Sequence, residues 1–336
     1  PVRGALVVQN VNTGAILAMV SIPTYDPNWL IGGITEDRWQ QLQRQPGAMV
    51  NWAIKGFAPG STYKMATALA GLEAGVLGPY EQIPCPATYW KYGNPKNWNG
   101  DQGVTDVARA LAISCNPFFF EVGDRLGLDR LAASNEHLGF GRQTGIDRPG
   151  ESPGANPSQA TYGDDFLPGY TINAAIGQGD VLATPLQLVG YVATIANSGV
   201  RYKPYLVQEV RDADGNVLMH RDPVIVEKVP ASAQSWQRIQ DGMRLTVTSW
   251  EGTAHLPLTG FPMPVAAKTG SAETSTGYPH ALSVVYAPYE NPEIAIAAII
   301  EGGSTGSWVT PVLRRVMDQY FGIHDVIPAE VPTYKD

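Results

Sequence analysis

Charge is scarce in this chain. Only 16% of its 336 residues are Asp, Glu, Lys or Arg, and together they leave a net charge of −8. An acidic balance gives no support to nucleic-acid binding, which needs a basic face. Cysteine is nearly absent. Cys85 and Cys115 are too few for a disulfide framework or a zinc ribbon, and they read as two small buried residues. Five scattered histidines give no HExxH or similar spacing, so no metal site is expected. Long apolar runs are missing too. The most apolar stretch, IAIAAII from Ile294 to Ile300, lies between Glu293 and Glu301. That is well short of the roughly 20 residues needed to span a bilayer. The chain opens at Pro1 with no signal-peptide core, and it reads as a soluble piece of something longer. No internal repeat stands out.

Hydrophobic residues make up 44% of the sequence, enough for a sizeable core. The start, GALVVQNVNTGAILAMVS, has β-rich runs either side of NTG and predicts a hairpin over 5–10 and 15–21. A short helix is expected near Glu36–Gln43. After Pro59-Gly60, the positions Met65, Leu69 and Leu72 fall on one helix face, with Gly75 as a stop. Thr105 is the expected cap of a helix through VARALA, and Asn116 the cap of the next, with Pro117 in its first turn. Thr184 and Pro185 open another. RYKPYLVQEVRDADGNVLMHR reads as a hairpin around ADGN, and ASAQSWQRIQDGMRLTVT as a helix. The end holds three strands, PVAAKTGSAE, ALSVVYAPYE and EIAIAAIIEG, then a helix from TPVLRRVMDQYFG. Strands at both termini with helices between them predict an α+β fold rather than a βαβ array. The sheet lobe is expected from about 1–60 and 240–336, and the helical lobe from about 61–239.

Three short motifs carry the chemistry. Ser61-x-x-Lys64 opens a helix, Ser114-x-Asn116 forms a corner between two helices, and Lys268-Thr269-Gly270 lies on a strand, followed by Ser271. Singly, Ser61, Ser114 and Asn116 read as helix caps and KTG as a turn. Together, each on the element its chemistry needs, they read as an acyl-transfer site. A serine hydroxyl needs a neighbouring base to become a nucleophile. A lysine one turn away serves only when neutral, and its ordinary pKa is about 10.4. Burial and a second cation both lower it, and Lys268 is the candidate for that cation. The backbone N–H groups of Ser61 and Ser271 are candidate oxyanion donors. Ser114 can relay a proton and Asn116 can hydrogen-bond a substrate amide. Lys268, with the hydroxyls of Thr269 and Ser271, would bind a carboxylate. Gly270 would let a substrate backbone approach the strand.

S-x-x-K, S-x-N and K-T-G in this order are the signature of penicillin-binding proteins and class A β-lactamases. Here Cys115 stands where one form of the middle motif has Asp. The chain resembles the transpeptidase domain of class B penicillin-binding proteins over nearly its whole length. It is most like the elongation-type penicillin-binding protein 2, through VNWAIKGFAPGSTYK, INAAIGQGDVLATPLQL, AAKTGSAE and IAIAAIIEGG. Some relatives of that type have an acidic residue where Asn116 stands.

The resemblance implies a β-lactamase/transpeptidase-like fold, with a five-stranded antiparallel sheet flanked by helices and an all-helical subdomain. It implies D,D-transpeptidation of peptidoglycan stem peptides without a cofactor. Ser61 is then the nucleophile and Lys64 its base. Ser114 and Asn116 form the second motif, and Lys268, Thr269, Gly270 and Ser271 the third. β-Lactam antibiotics would acylate the same serine. A glycan-polymerising membrane partner is implied, as are an anchor and a pedestal domain outside this sequence, with the catalytic part on the outer side of the cytoplasmic membrane.

Three rivals remain at this point. A division-type relative shares most motifs. A serine β-lactamase would add a general base, for which Glu151, Asp164 and Asp165 are the acidic candidates. A β-lactam sensor domain would acylate once and signal. The aromatic stretch Tyr89–Trp98 and Tyr63 are expected to pack, Glu209–Asp214 to lie on a solvated hairpin, and IPAEVPTYKD to be a frayed end.

Overall fold

The computed structural model describes residues 2–274 and 277–323. The tail IPAEVPTYKD lies outside them. Both ends of the described chain feed one antiparallel sheet. Its strands are β1 (Gly4–Asn10), β2 (Ile16–Ile22), β3 (Ala266–Ala272), β4 (His280–Ala287) and β5 (Ile294–Ile300). They stand in the order β2-β1-β5-β4-β3, so β3 is an edge. Gly4 lies opposite Ile300, Asn10 opposite Ile294, and Lys268 opposite Val284.

The central strands are apolar on both sides because packed elements cover both faces. Along β5, Ala295, Ala297 and Ile299 enter one core while Ile294, Ile296 and Ala298 enter another. That is the two-residue period of a strand. On β3 the same period sets Lys268 on the face of Ala266 and Ala272, both part of the larger core. This core also contains most of the helices.

Among these helices are α1 (Glu36–Gln43), α2 (Lys64–Glu73), α3 (Val107–Ala112), α4 (Asn116–Leu126) and α5 (Leu128–His137). Further along are α6 (Pro168–Ala175), α7 (Pro185–Ala196), α8 (Ala233–Thr248) and α9 (Thr310–Tyr320). Helix α7 packs on β5 and β1, capped by Thr184 and Gln187 in a reciprocal capping box. Helix α9 covers the opposite face through Leu313 and Met317. Helix α2 is the hub. The periodicity predicts one apolar face, yet every residue from Lys64 to Gly71 is buried. A helix that is apolar nearly all round belongs inside a core, so Lys64 is carried in with it.

Several local expectations shift. Asp106, not Thr105, caps α3, accepting from Arg109 N at 3.0 Å. Cys115, not Asn116, is the cap residue of α4, which leaves the Asn116 side chain free for other work. The hairpin around ADGN pairs Glu209–Arg211 with Val217–His220, and its polar residues are largely exposed. Val200–Tyr202 pairs instead with Ile225–Lys228. Cys85 and Cys115 are fully buried, as expected, but they are bonded to each other in a disulfide. Thirty positions separate them, so only the tertiary fold brings them together.

Candidate active site

Ser61 sits in a tight 3-10 turn, Gly60–Tyr63, that runs straight into α2. The N-cap position of this turn is held by Pro59, so Ser61 is not the helix cap that its position suggests. The turn is clamped from two sides. Gly60 has φ +52°, and a Cβ there would lie 2.4 Å from Ser271 O on β3. On the other side Gly60 N donates to Gly177 O at 2.9 Å, and a Cβ on Gly177 would lie 2.4 Å from Gly60 O. Only glycine permits these approaches. Tyr63 packs as expected, against Phe140, with its hydroxyl accepting from Asn135.

The Lys64 side chain turns away from solvent into the corner before α4. Its Nζ donates to Ser114 O at 2.7 Å and to Asn116 Oδ1 at 2.6 Å, with Ser114 Oγ at 3.2 Å. The Phe119 ring lies beneath, 5.5 Å from Nζ to its centroid. Lys268 reaches the same hydroxyl from β3, with Nζ 2.9 Å from Ser114 Oγ and 2.9 Å from Thr269 O. Both lysines are fully buried. Burial pushes Lys64 well below the usual lysine range, and the Lys268 charge pushes it further the same way. Burial alone brings Lys268 down to about 7. Lys64 therefore tends to the neutral amine. Such an amine has two N–H groups for its two short contacts and a lone pair left over.

Ser114 has φ +57°, uncommon for a residue with a side chain. It ends α3 by donating its N–H to Leu111 O at 3.2 Å, and Cys115 N follows to Ala110 O at 3.0 Å. The loop Cys85–Gly103 ties this corner down. Besides the disulfide, Asn97 Oδ1 accepts from Asn116 N at 3.2 Å and Trp98 Nε1 donates to Ile113 O at 3.2 Å. The loop is closed at its base by Cys85 N to Gly103 O at 2.7 Å and Gln102 N to Cys85 O at 2.9 Å. Tyr89 packs against Phe120, but Trp90, Tyr92 and Trp98 are exposed, so packing accounts for only part of this aromatic stretch.

The KTG strand borders the site with its free edge. Ser271 O accepts from Gln178 Nε2 at 3.4 Å and faces the Ser61 turn. In a strand, the N–H of a residue points the same way as its C=O, so Ser271 N–H points toward that turn as well. Ser61 N–H belongs to the first turn of its helix, where backbone donors lack intrahelical acceptors. Gly270 has a packing reason beyond substrate access, since a Cβ there would meet Pro59 O at 3.1 Å and Thr62 N at 3.2 Å. Thr269 Oγ1 pairs with Thr253 Oγ1. Lys268 Nζ is occupied by Ser114 and its own strand, so its charge acts from behind the hydroxyls of Thr269 and Ser271.

The fold thus gathers Ser61, Lys64, Ser114, Asn116 and the KTG strand in one place. Ser61, Asn116 and Ser271 are partly exposed, while the lysines and Ser114 are buried behind them. Glu151, a candidate base in the β-lactamase reading, is held by Thr144 N at 2.8 Å and Gly145 N at 3.2 Å. Asp164 and Asp165 are exposed on a separate turn. Sequence reasoning passed over Asn97, Thr253, Gln178 and the Cys85–Cys115 bond. Of these only the bond left a signal, because Cys115 lies inside the second motif.

The penicillin binding protein transpeptidase domain family matches residues 4–318 of this chain. Peptidoglycan D,D-transpeptidase MrdA of Escherichia coli (strain K12) is 32% identical, over 98% of this chain and 56% of that protein. The chain therefore spans a little over half the length of this relative. A chain from the structure described as "Structural coordination of polymerization and crosslinking by a peptidoglycan synthase complex" superposes with a TM-score of 0.87. It is 35% identical and covers 97% of this chain and 57% of that one. PBP2 of Pseudomonas aeruginosa, solved in complex with WCK 5153, gives a TM-score of 0.86 and 33% identity, over 99% of this chain and 74% of that one.

Proposed function

The chain belongs to the penicillin-binding protein transpeptidase family, and we propose that it is the crosslinking domain of an elongation-type peptidoglycan D,D-transpeptidase. The observation that carries this is a buried pair of lysines sharing one serine hydroxyl behind a partly exposed serine. Ser61 Oγ attacks the carbonyl between two D-alanines of a stem peptide, and its proton passes to neutral Lys64. The oxyanion is met by the N–H groups of Ser61 and Ser271. The proton returns through Ser114 Oγ to the departing amine, the C–N bond breaks, and an ester on Ser61 remains. An amine on a neighbouring stem peptide then attacks that ester. It gives up a proton by the same route, and Ser61 recovers its hydroxyl as the crosslink forms.

Asn116 holds the substrate amide and Thr269, Ser271 and Thr253 offer hydroxyls to the terminal carboxylate. β-Lactams acylate Ser61, in keeping with the family's name. A glycan-polymerising partner is favoured by the similarity to a chain of a peptidoglycan synthase complex. Among the described residues no helix is long and apolar enough to cross a membrane. A location outside the cytoplasmic membrane is supported by the Cys85–Cys115 disulfide, a bond kept mainly in oxidising compartments.

The test is intact-protein mass over hours after mixing with benzylpenicillin. A lasting adduct on Ser61 is expected. An adduct that disappears as the drug is consumed would instead mark a β-lactamase, and no adduct at all would remove Ser61 from the nucleophile's role.

A further inference from the structure

The second motif is bolted to a loop whose own sequence has no catalytic signature. Cys115 lies between Ser114 and Asn116, and its disulfide partner Cys85 begins the closed loop that ends at Gly103. A second tie runs beside the first. Buried Asn97 accepts from Asn116 N through Oδ1, while its Nδ2 donates to Gly100 O at 2.7 Å and Gln102 Oε1 at 2.8 Å. The clamped corner holds Ser114 at positive φ and presents three oxygens to Lys64 Nζ within hydrogen-bond distance. A shift of the corner would therefore move the proton relay and the acceptors of Lys64 together.

We infer that the loop Cys85–Gly103 is a positioning clamp for acylation, in which the Cys85–Cys115 disulfide and Asn97 hold Ser114 and Asn116 in register with Lys64. Cys85, Cys115 and Asn97 act through those residues and touch no reacting atom. This rests on the reading that Ser61 is acylated. A misplacement of about 1 Å at such a relay can cost on the order of a hundredfold in rate. A loosened corner would also admit water around Lys64. The groups that face Lys64 Nζ are Lys268 from β3, Ser114 and Asn116 from the corner and the Phe119 ring from α4, and Lys268 is the charged one. With more water, the Lys64 ammonium becomes easier to form.

The experiment compares oxidised wild type with Cys85→Ala/Cys115→Ser, in which serine keeps a cap acceptor for Phe118 N while the covalent link is gone. Asn97→Ala provides a second variant in case the first does not fold. Acylation by benzylpenicillin is followed from about pH 5 to 10, which brackets the Lys268 value of about 7, with circular dichroism confirming the fold. The clamp predicts a fall in the acylation rate constant of about tenfold to a hundredfold, little change in initial binding, and an acid limb displaced to higher pH. Simple partial unfolding would lower the labelled fraction equally at every pH without moving that limb. Folded variants with wild-type rates and an unmoved limb would overturn the clamp while leaving Ser61 acylation standing. Failure of oxidised wild type itself to acylate would overturn the underlying reading.

Discussion

Lys64 and Lys268 converge on a single hydroxyl, with Ser114 Oγ 3.2 Å from one ammonium nitrogen and 2.9 Å from the other, and both side chains fully buried. Two cations cannot share so small a dry space at low cost. Burial lowers both, and the Lys268 charge lowers Lys64 in addition, so Lys64, one turn on from Ser61, is held toward the neutral amine.

Ser61→Ala should abolish covalent labelling by a fluorescent penicillin. Because Ser61 is not a cap residue, stability should change by less than about 0.5 kcal/mol. Labelling at wild-type level would assign the nucleophile elsewhere, and a large fall in Tm would mean that the hydroxyl has a structural task.

Lys64→Arg should fold poorly or not react, because guanidinium stays charged at any working pH. The informative companion is Lys268→Met. It removes the cation that holds Lys64 neutral, so the acid limb of the acylation profile should move to higher pH. An unmoved limb in stopped-flow measurements would separate the two lysines.

The same burial predicts a pH dependence of stability. Lys268 has a folded pKa of about 7, below its unfolded value of 10.5, so between these the unfolded chain binds more protons. Its unfavourable contribution is complete below about 7 and is relieved as pH rises toward 10.5. The Tm of wild type relative to Lys268→Met should therefore climb across that window. A constant difference would show that Lys268 titrates in the folded state as it does in the unfolded chain.

Gly177→Ala should slow acylation although Gly177 bears no side chain to contribute. A methyl there would press on Gly60 O and Tyr63 Cβ, at 2.4 and 2.7 Å, and would sit at φ +73°. The expected loss of stability is about 1–3 kcal/mol, read by urea unfolding, with labelling reduced more than the folded fraction. Wild-type labelling and stability would mean that the turn carrying Ser61 can shift without consequence.

Tyr63→Phe tests packing next to chemistry. The phenol is fully buried, and burial raises its pKa far above the usual tyrosine value, so it stays protonated. Removing its oxygen strands the Asn135 amide, which costs about 1–3 kcal/mol. Penicillin labelling of the folded protein should be unaltered, and a loss of labelling would assign Tyr63 a part in the reaction.

Much of this was legible in the residues. The helix Glu36–Gln43, the Thr184 cap and the terminal strands follow from short-range rules of period, cap and turn. What misled were positions where two local rules compete. Asp106 outranked Thr105 as a cap because its carboxylate reaches Arg109 N. Cys115 took the cap position from Asn116, whose amide was drawn to Lys64. The first is a contest between two neighbouring cap residues, and the second is invisible until Lys64, 52 residues away, is in place.

The β-rich runs at both ends, the order of the three motifs, and the serine and lysine one turn apart can be read from the chain alone. These depend on contacts within a few residues. What the assembled fold adds is the burial of α2 from Lys64 to Gly71, so that Lys64 loses its water, and the meeting of Lys268 with Ser114, 154 residues apart in the chain. It alone paired Cys85 with Cys115. Desolvation and long-range pairing are properties of what surrounds a residue, and a linear sequence does not state its surroundings.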